Sequence, residues 1–310
     1  MKHLTTSQTA FCASLKVLGP AVIALFFGSA STCAQSDAVR NDVAAFEVPG
    51  SEVRKVRSEL LGRTYFAYLK LPRSYADEKN KDHTYPVIYL NDGPYTFQVA
   101  SGLTHLSMSS GAIEEAIVVG ISFAEGENGQ ASRTRDMTPT RSDEFEGTQT
   151  GGAAEYLRFL KSEFFPHIER AYRIDPKRRT LAGQSFGGLF GIYTLLTEPE
   201  LFETYILTSS SIWYDNGVLF DLEAQYAQAH SRLPAKVFLA VGEFESPVYQ
   251  GTTNEMVDQQ RAFVAALESR NYDGLQLKSE IIAGTGHHTT FPFGLGRGLI
   301  WALPGPTPKN

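Results

Sequence analysis

The pattern most suited to chemistry in this chain is G-x-S-x-G at residues 183–187, with Ser185 at its centre. A serine on a tight strand-to-helix turn stands exposed above a sheet, and the flanking glycines let the strand and helix backbones approach without a Cβ clash. The N-terminus of the following helix favours negative charge beside the serine. We therefore predict that Ser185 is a nucleophile. The alternative is a glycine-rich turn that only packs closely.

A serine hydroxyl reacts well only when a base takes its proton and a third group orients that base. In chains with this turn, the acid and then the histidine follow the serine. The candidates for the base are His287 and His288, which follow the last predicted strand, and only one of them can point at Ser185. The candidates for the acid are Glu243 and Glu245, which follow the strand before it. Both choices remain open. A solvated loop is the alternative for each pair, and a fortuitous metal-tag-like site is a further alternative for the histidines.

Apolar runs and stripes predict the elements that position these residues. Continuous or alternating apolar runs predict strands at 63–71, 86–90, 116–121, 179–183, 205–208, 237–241 and 277–282. Helices are predicted at 153–172, 187–197, 255–270 and 294–303, with Pro166 kinking or dividing the first one. The polar stretch 125–151 is interpreted as a long surface loop. The alternation predicts an α/β fold with a mainly parallel sheet, helices on both faces and ligands beyond the carboxyl ends of its strands.

The first 34 residues have the order of a secretory signal. Lys2 and Lys16 precede an apolar run at 17–27, and small residues follow at 28–34. A bilayer span needs about 20 apolar residues, so this run is too short to remain as an anchor. We expect cleavage after Ala34, or else after Ala30, export to the periplasm or the medium, a mature domain at 35–310 and no stable membrane insertion. A lipid anchor on Cys33 fits less well, and a frayed apolar N-terminus is the alternative.

Charge and cysteine content exclude some classes of protein. The chain has 28 Lys and Arg against 34 Asp and Glu, a net charge of −6, which argues against nucleic-acid binding. The only cysteines, Cys12 and Cys33, both lie in the predicted signal. The mature chain is therefore expected to contain no disulfide and no thiolate metal site. The sequence does not indicate an oligomeric state.

Several segments together resemble one family. The chain resembles the putative-esterase family of α/β-hydrolases, which includes siderophore esterases, the esterase D group and mycolyltransferases, from about Phe46 to Leu303. The segments that carry the resemblance are YPVIYLNDG at 85–93, VGI at 119–121, RDMTP at 135–139, LAGQSFGGL at 181–189, SSSIW at 209–213, VGEFE at 241–245 and HHTTFP at 287–292. The resemblance implies the α/β-hydrolase fold, hydrolysis of a small-molecule ester and no cofactor or metal.

The resemblance also implies an acid and a base. The family ending of His, any residue, Ser or Thr, two residues and Pro fits His287 and does not fit His288. The family pattern G-x-x-acid favours Glu245 over Glu243. Some siderophore esterases work with a serine–histidine dyad, which would make the acid dispensable.

The oxyanion donors implied by the resemblance are the backbone N–H groups of Phe186 and of a residue at or just after the Asp-Gly that ends at Gly93. Here Pro94 follows Gly93, and proline has no N–H. Either Gly93 or Tyr95 must therefore donate, or the oxyanion hole is weaker than in other members of the family.

Three further residues are candidates for substrate contact. Trp213 follows a strand end and is predicted to form a wall of the acyl pocket, with core packing as the alternative. Arg135 and Arg133 are candidates for attracting an anionic ester such as a catecholate, with a structural salt bridge to Asp136 or Glu144 as the alternative. The expected substrate is a catecholate trilactone siderophore or an aryl ester. An acyltransferase and a non-catalytic siderophore- or small-molecule-binding protein are the alternative functions.

Overall fold

An eight-stranded sheet forms the centre of the molecule. The computed structural model describes residues 45–249 and 255–306. The strand order is β1-β2-β4-β3-β5-β6-β7-β8; β2 pairs antiparallel with β1 and with β4, and all other pairs are parallel. The strands are β1 (Ser51–Ser58), β2 (Arg63–Lys70), β3 (Tyr85–Leu90), β4 (Ile117–Ile121), β5 (Ile174–Gln184), β6 (Thr204–Thr208), β7 (Lys236–Gly242) and β8 (Gln276–Ile282).

Helices cover both faces of this sheet, as predicted. They are α1 (Gly93–Ser109), α2 (Gly129–Met137), α3 (Ala153–Phe159), α4 (Phe165–Ala171), α5 (Phe186–Thr197), α6 (Tyr214–Ala229), α7 (Met256–Arg270) and α8 (Thr290–Ala302). Helices α1 and α8 pack on one face against strand residues such as Ile88 and Phe238. Helices α3 to α7 pack on the other face against Tyr89 and Leu239. Successive strand side chains point to opposite faces, and both faces are covered, so strands such as β3 and β4 are buried and apolar along their whole length.

The predicted long helix at 153–172 is divided, as Pro166 indicated. Helix α3 is followed by a π-helical turn at Leu160–Phe164 and then by α4. Pro166 lies in the first turn of α4. The backbone before this proline is already helical, and the Phe165 N–H donates to the Leu160 carbonyl five residues back. The wider π-helical turn thus accommodates a residue that has no N–H.

The prediction of a loop at 125–151 is wrong in part, because this stretch contains helix α2. Asn128 caps it by accepting hydrogen bonds from the N–H groups of Gln130 and Ala131, at 3.0 and 3.1 Å. The buried face of α2 is mainly polar and includes Ser132, Thr134, Arg135 and Asp136. Without an apolar stripe, the periodicity gave no signal for a helix.

Strand β1 and helices α1 and α6 are also absent from the predictions. Helix α1 buries small polar residues, and Thr104 satisfies its hydroxyl by donating to the Ala100 carbonyl at 2.7 Å. Helix α6 is interrupted near its start, where residues 215–217 all have positive φ. Both features weaken the helical hydrophobic pattern.

The predicted signal at 1–34 and the cleavage sites lie outside the described residues. Within the ranges 45–249 and 255–306, no helix is long and apolar enough to cross a membrane. The same ranges contain no group of three or more His, Cys, Asp or Glu arranged to hold a metal ion.

Candidate active site

Ser185 lies on a strained turn between β5 and α5. Its backbone angles, φ 57° and ψ −118°, belong to a region that residues with a side chain rarely adopt. A Cβ on Gly183 would lie 2.4 Å from the carbonyl oxygen of Gly187, so the crossing of strand and helix requires glycine at position 183. The Ser185 N–H donates to the Thr208 carbonyl at 3.1 Å, which ties the turn to β6. The serine is thereby presented above the carboxyl ends of the strands.

The hydroxyl of Ser185 has a second serine beside it. Its Oγ lies 3.3 Å from Ser211 Oγ, and either atom can be the donor. The Ser211 N–H also donates to the Ser185 carbonyl at 3.2 Å. Among the described contacts there is no hydrogen bond between Ser185 Oγ and His287, a bond that is often long in a site without substrate. The sequence indicated Ser211 only as the first residue of the segment 211–214 that is predicted to wall the acyl pocket, and not as a neighbour of the nucleophile.

The structure brings His287 and Glu245 together. His287 Nδ1 lies 2.7 Å from Glu245 Oε2, and Glu245 is only 3% exposed. The other carboxylate oxygen, Oε1, accepts hydrogen bonds from Ser209 Oγ at 2.6 Å, from the Gly242 N–H at 2.8 Å and from Thr290 Oγ1 at 3.1 Å. This environment favours the ionised carboxylate. Burial alone would raise the pKa of Glu245, but the hydrogen bonds from His287, Ser209 and Gly242 outweigh it and lower that pKa below its usual value.

The competing candidates, Glu243 and His288, have different contacts. Glu243 accepts a hydrogen bond from the Gly284 N–H at 2.8 Å and one from the Tyr249 hydroxyl at 3.4 Å. His288 is in ring contact with His287, with the ring centroids 5.6 Å apart. Of the two acids and two histidines, only Glu245 and His287 are paired with each other.

The candidate oxyanion donors are two backbone N–H groups at the starts of helices, those of Gly93 and Phe186. Gly93 and Phe186 are the first residues of α1 and α5, and within 45–249 and 255–306 neither N–H has a hydrogen-bond acceptor. A Cβ on Gly93 would lie 2.7 Å from the Ile121 carbonyl oxygen, so only glycine fits there. The N–H of Tyr95 already donates to the Asp92 carbonyl at 3.2 Å. Of the two donors considered around Pro94, Gly93 is therefore the free one.

Arg133 contacts residues at or next to both candidate oxyanion donors. Its guanidinium donates to both carboxylate oxygens of the fully buried Asp92, at 2.7 and 3.0 Å. Asp92 precedes Gly93 and has a left-handed φ of 57°. The guanidinium also lies 5.2 Å from the ring centroid of Phe186. Arg133 thus contacts Asp92, which precedes the donor Gly93, and the side chain of Phe186, which is the second donor.

Arg135, a candidate for substrate contact, is held in ion pairs with Asp136 and Glu127. Its Nε donates to Asp136 at 2.8 Å and its Nη1 to Glu127 at 2.5 Å, and the residue is 7% exposed. Tyr65 donates a further hydrogen bond to Asp136 at 2.8 Å. The structural ion pair with Asp136, which was the alternative interpretation, is the arrangement observed. The ion pair forms because Arg135 and Asp136 both lie on the buried face of α2.

Trp213 belongs to an aromatic cluster next to the serine turn. Its ring stacks on Phe145 with centroids 6.4 Å apart and lies 6.2 Å from the ring of Phe186. Trp213 is half-buried and packs against the core. One face of its ring can therefore pack in the core while the exposed part borders the acyl pocket.

Gln184 connects the two sides of the site. Its Oε1 accepts a hydrogen bond from the Tyr95 hydroxyl at 2.9 Å, and its Nε2 donates to the carbonyl of His287. The residue before the nucleophile thus joins the start of α1 to the histidine loop. The sequence offered only one signal for this residue, its place within the G-x-S-x-G pattern.

Known proteins are similar to this chain over most of its length. Residues 58–293 match the family described as "Putative esterase". The chain is 32% identical over 273 residues to the ferri-bacillibactin esterase BesA of Bacillus subtilis (strain 168), covering 84% of this chain and 91% of that protein. The solved structure of the BES protein from Bacillus cereus is similar with a TM-score of 0.72 and 28% identity, covering 84% of this chain and 98% of that one. An IroE-like serine hydrolase from Shewanella oneidensis is similar with a TM-score of 0.71 and 27% identity, covering 81% of this chain and 79% of that one.

These similarities and the sheet architecture place the protein among the α/β-hydrolases, which confirms the predicted fold class. Within that class, the chain belongs to the putative-esterase family, as its motifs indicated. It is a carboxylic ester hydrolase.

Proposed function

We propose that the protein cleaves esters through an acyl-enzyme formed on Ser185. The observation that carries this proposal is the hydrogen bond between Glu245 Oε2 and His287 Nδ1. A carboxylate held on Nδ1 fixes the histidine tautomer and leaves Nε2 as the base. The strained serine turn and two free N–H groups complete the groups that acyl transfer needs.

In the first half-reaction, Ser185 Oγ attacks the ester carbonyl carbon while His287 Nε2 takes the hydroxyl proton. The oxyanion is held by the N–H groups of Gly93 and Phe186. When the tetrahedral intermediate collapses, His287 gives its proton to the leaving alcohol. In the second half-reaction, water attacks the acyl-enzyme with the same base and the same donors, and Ser185 is restored.

We further propose a siderophore ester of the catecholate trilactone type, or another aryl ester, as the substrate. One support is the similarity to BesA, which is described as a ferri-bacillibactin esterase. The other is the cluster formed by Trp213, Phe145 and Phe186, since aromatic side chains beside the nucleophile offer flat apolar surfaces for a substrate ring.

Hydrolysis of a short p-nitrophenyl ester by the purified protein and by Ser185→Ala tests the mechanism. We expect the variant to lose activity by on the order of 10⁵-fold. A fluorophosphonate should label the wild type at Ser185 and leave the variant unlabelled. Equal activity in both proteins would contradict the assignment of the nucleophile. Inactivity in both would favour the acyltransferase or the binding protein.

We also propose that the protein is exported. The support is the order of basic, apolar and small residues at 1–34. Intact-mass analysis of the protein recovered from the periplasm or the culture medium should give a chain that begins at Gln35, or at Ser31 for the second cleavage site. Recovery of the uncleaved chain from the cytoplasm alone would contradict export.

A further inference from the structure

The three consecutive serines that follow β6 reach both ends of the candidate triad. We call Ser209, Ser210 and Ser211 the triple-serine segment; all three are buried, with exposures of 0%, 5% and 1%. The first contacts the acid and the third contacts the nucleophile, although Glu245 and Ser185 lie on different strand ends. Alternate members of one short segment thus contact two different catalytic groups.

Ser209 restricts the rotation of the acid. Its N–H donates to the Ala240 carbonyl on β7 at 2.7 Å, and its backbone has a left-handed φ of 45°. Ser209 Oγ donates to Glu245 Oε1 at 2.6 Å, and the Gly242 N–H donates to the same oxygen. With Oε1 occupied, Oε2 is the oxygen presented to His287.

Ser211 contacts the nucleophile twice. Its N–H holds the carbonyl of Ser185 at 3.2 Å, and its Oγ lies 3.3 Å from Ser185 Oγ. During attack, the proton of Ser185 has to pass to His287. The Ser211 hydroxyl must then be the donor between the two oxygens, because Ser185 Oγ cannot donate in both directions. A donor at this place both fixes the χ1 rotamer of Ser185 and stabilises the negative charge that develops on its Oγ.

We propose that Ser209 and Ser211 are positioning residues that set the orientation of Glu245 and of Ser185, respectively. This inference rests on the proposed function. Ser211 keeps its own proton throughout, and the proton of Ser185 moves to His287 Nε2. Neither residue forms a covalent bond with the substrate.

Ser210 provides a matched control within the same segment. Its Oγ is buried and has no hydrogen-bond partner among the described residues. It packs on α5, where a Cβ on Gly188 would lie 2.4 Å from it. Ser210→Ala therefore makes the same chemical change in an equally buried place without removing a hydrogen bond.

The test compares Ser209→Ala, Ser210→Ala and Ser211→Ala in steady-state hydrolysis of p-nitrophenyl acetate. We expect kcat to fall by roughly 3- to 10-fold in the outer two variants, the equivalent of one hydrogen bond each, with KM unchanged. The middle variant should stay within about twofold of the wild type in kcat. The rate of fluorophosphonate labelling at Ser185 should fall in parallel with kcat in Ser211→Ala.

Thermal unfolding of each variant separates positioning from loss of folding. If Ser209→Ala does not fold, Ser209→Gly removes the same hydroxyl and tolerates the positive φ. Equal kcat values in the three variants, or a change in KM alone, would overturn the positioning roles while leaving the proposed function intact. A wild type that neither hydrolyses esters nor reacts with the fluorophosphonate would overturn both.

Discussion

The polar groups on the two sides of Ser185 differ in how many hydrogen bonds they make. On the side of β7 and β8, Glu245 accepts four hydrogen bonds and holds His287. On the side of β3, the N–H groups of Gly93 and Phe186 have no acceptor within the described ranges. We call these the acid–base side and the oxyanion side.

The difference matches what each side does in the proposed reaction. The carboxylate of Glu245 keeps the same partners from start to finish, so a full set of hydrogen bonds costs nothing and fixes its geometry. The oxyanion donors gain their partner only when charge develops in the transition state, so donors without a partner contribute to the rate rather than to ground-state binding. On the oxyanion side, the donors themselves have no partner among the described residues, so neighbouring residues must fix their positions. The ion pair between Arg133 and Asp92 does this for Gly93.

The largest effect is expected from removing the base on the acid–base side. His287→Ala should lower kcat/KM by on the order of 10⁴- to 10⁶-fold, because no other group accepts the Ser185 proton. His288→Ala is the matched control and should change it by no more than about threefold. Ester hydrolysis measured by stopped-flow and steady-state methods checks both variants. The reverse ranking would assign the base to His288.

A smaller effect is expected from the acid. Glu245→Gln should lower kcat by on the order of 10³- to 10⁴-fold, since an amide at this position no longer selects the tautomer with a free Nε2. Glu243→Gln, which removes a charge two residues away, should leave kcat within about twofold. If Glu245→Gln retained nearly full activity, the enzyme would work as a serine–histidine dyad.

On the oxyanion side, Arg133→Met should lower kcat by about 10²-fold with little change in KM, because Asp92 loses its partner and the Gly93 N–H shifts. The affinity for a boronate that mimics the tetrahedral intermediate should fall by a similar factor. Arg158→Met, on the exposed face of α3, is the control. A raised KM with unchanged kcat would instead make Arg133 a substrate-binding residue.

The smallest effect concerns stability and pH. The pKa of Glu245 is lowered on folding, so its charge stabilises the folded state above the ordinary carboxyl range near pH 4 and loses this effect as the pH falls through the folded-state pKa. The gap in unfolding free energy between wild type and Glu245→Gln should thus be widest near pH 7 and narrow below about pH 4. Urea denaturation at several pH values measures it, with Glu243→Gln as the control. A gap independent of pH would contradict the lowered pKa.

The sequence predicted best those parts of the fold that rest on continuous apolar runs. Strands β3, β4, β6 and β7 lie within one residue of their predicted positions, because a strand buried on both faces has little freedom in composition. Helix α2 was missed because its buried face is held by ion pairs such as Arg135 with Asp136. Pairs of this kind leave no periodic signal.

At the site, the motifs selected the residues that the structure brings together, Glu245 with His287, while their catalytic roles remain predictions. The supporting contacts could not be read from the sequence. Arg133 and Asp92 are 41 positions apart, and Ser209 and Glu245 are 36 apart. Only the folded sheet defines such pairs, since nothing in the local pattern of either residue specifies the other.

Among the strands of residues 45–249 and 255–306, β1 and β8 are the outermost two of the sheet. An exposed edge can recruit a strand from another molecule and start aggregation. In β1, Arg54, Lys55 and Arg57 are exposed, and β8 carries the Lys278–Glu280 ion pair. Adding a strand at either edge would bring charged groups against an incoming backbone. Charged side chains on the outermost strands therefore disfavour edge-to-edge pairing of two molecules.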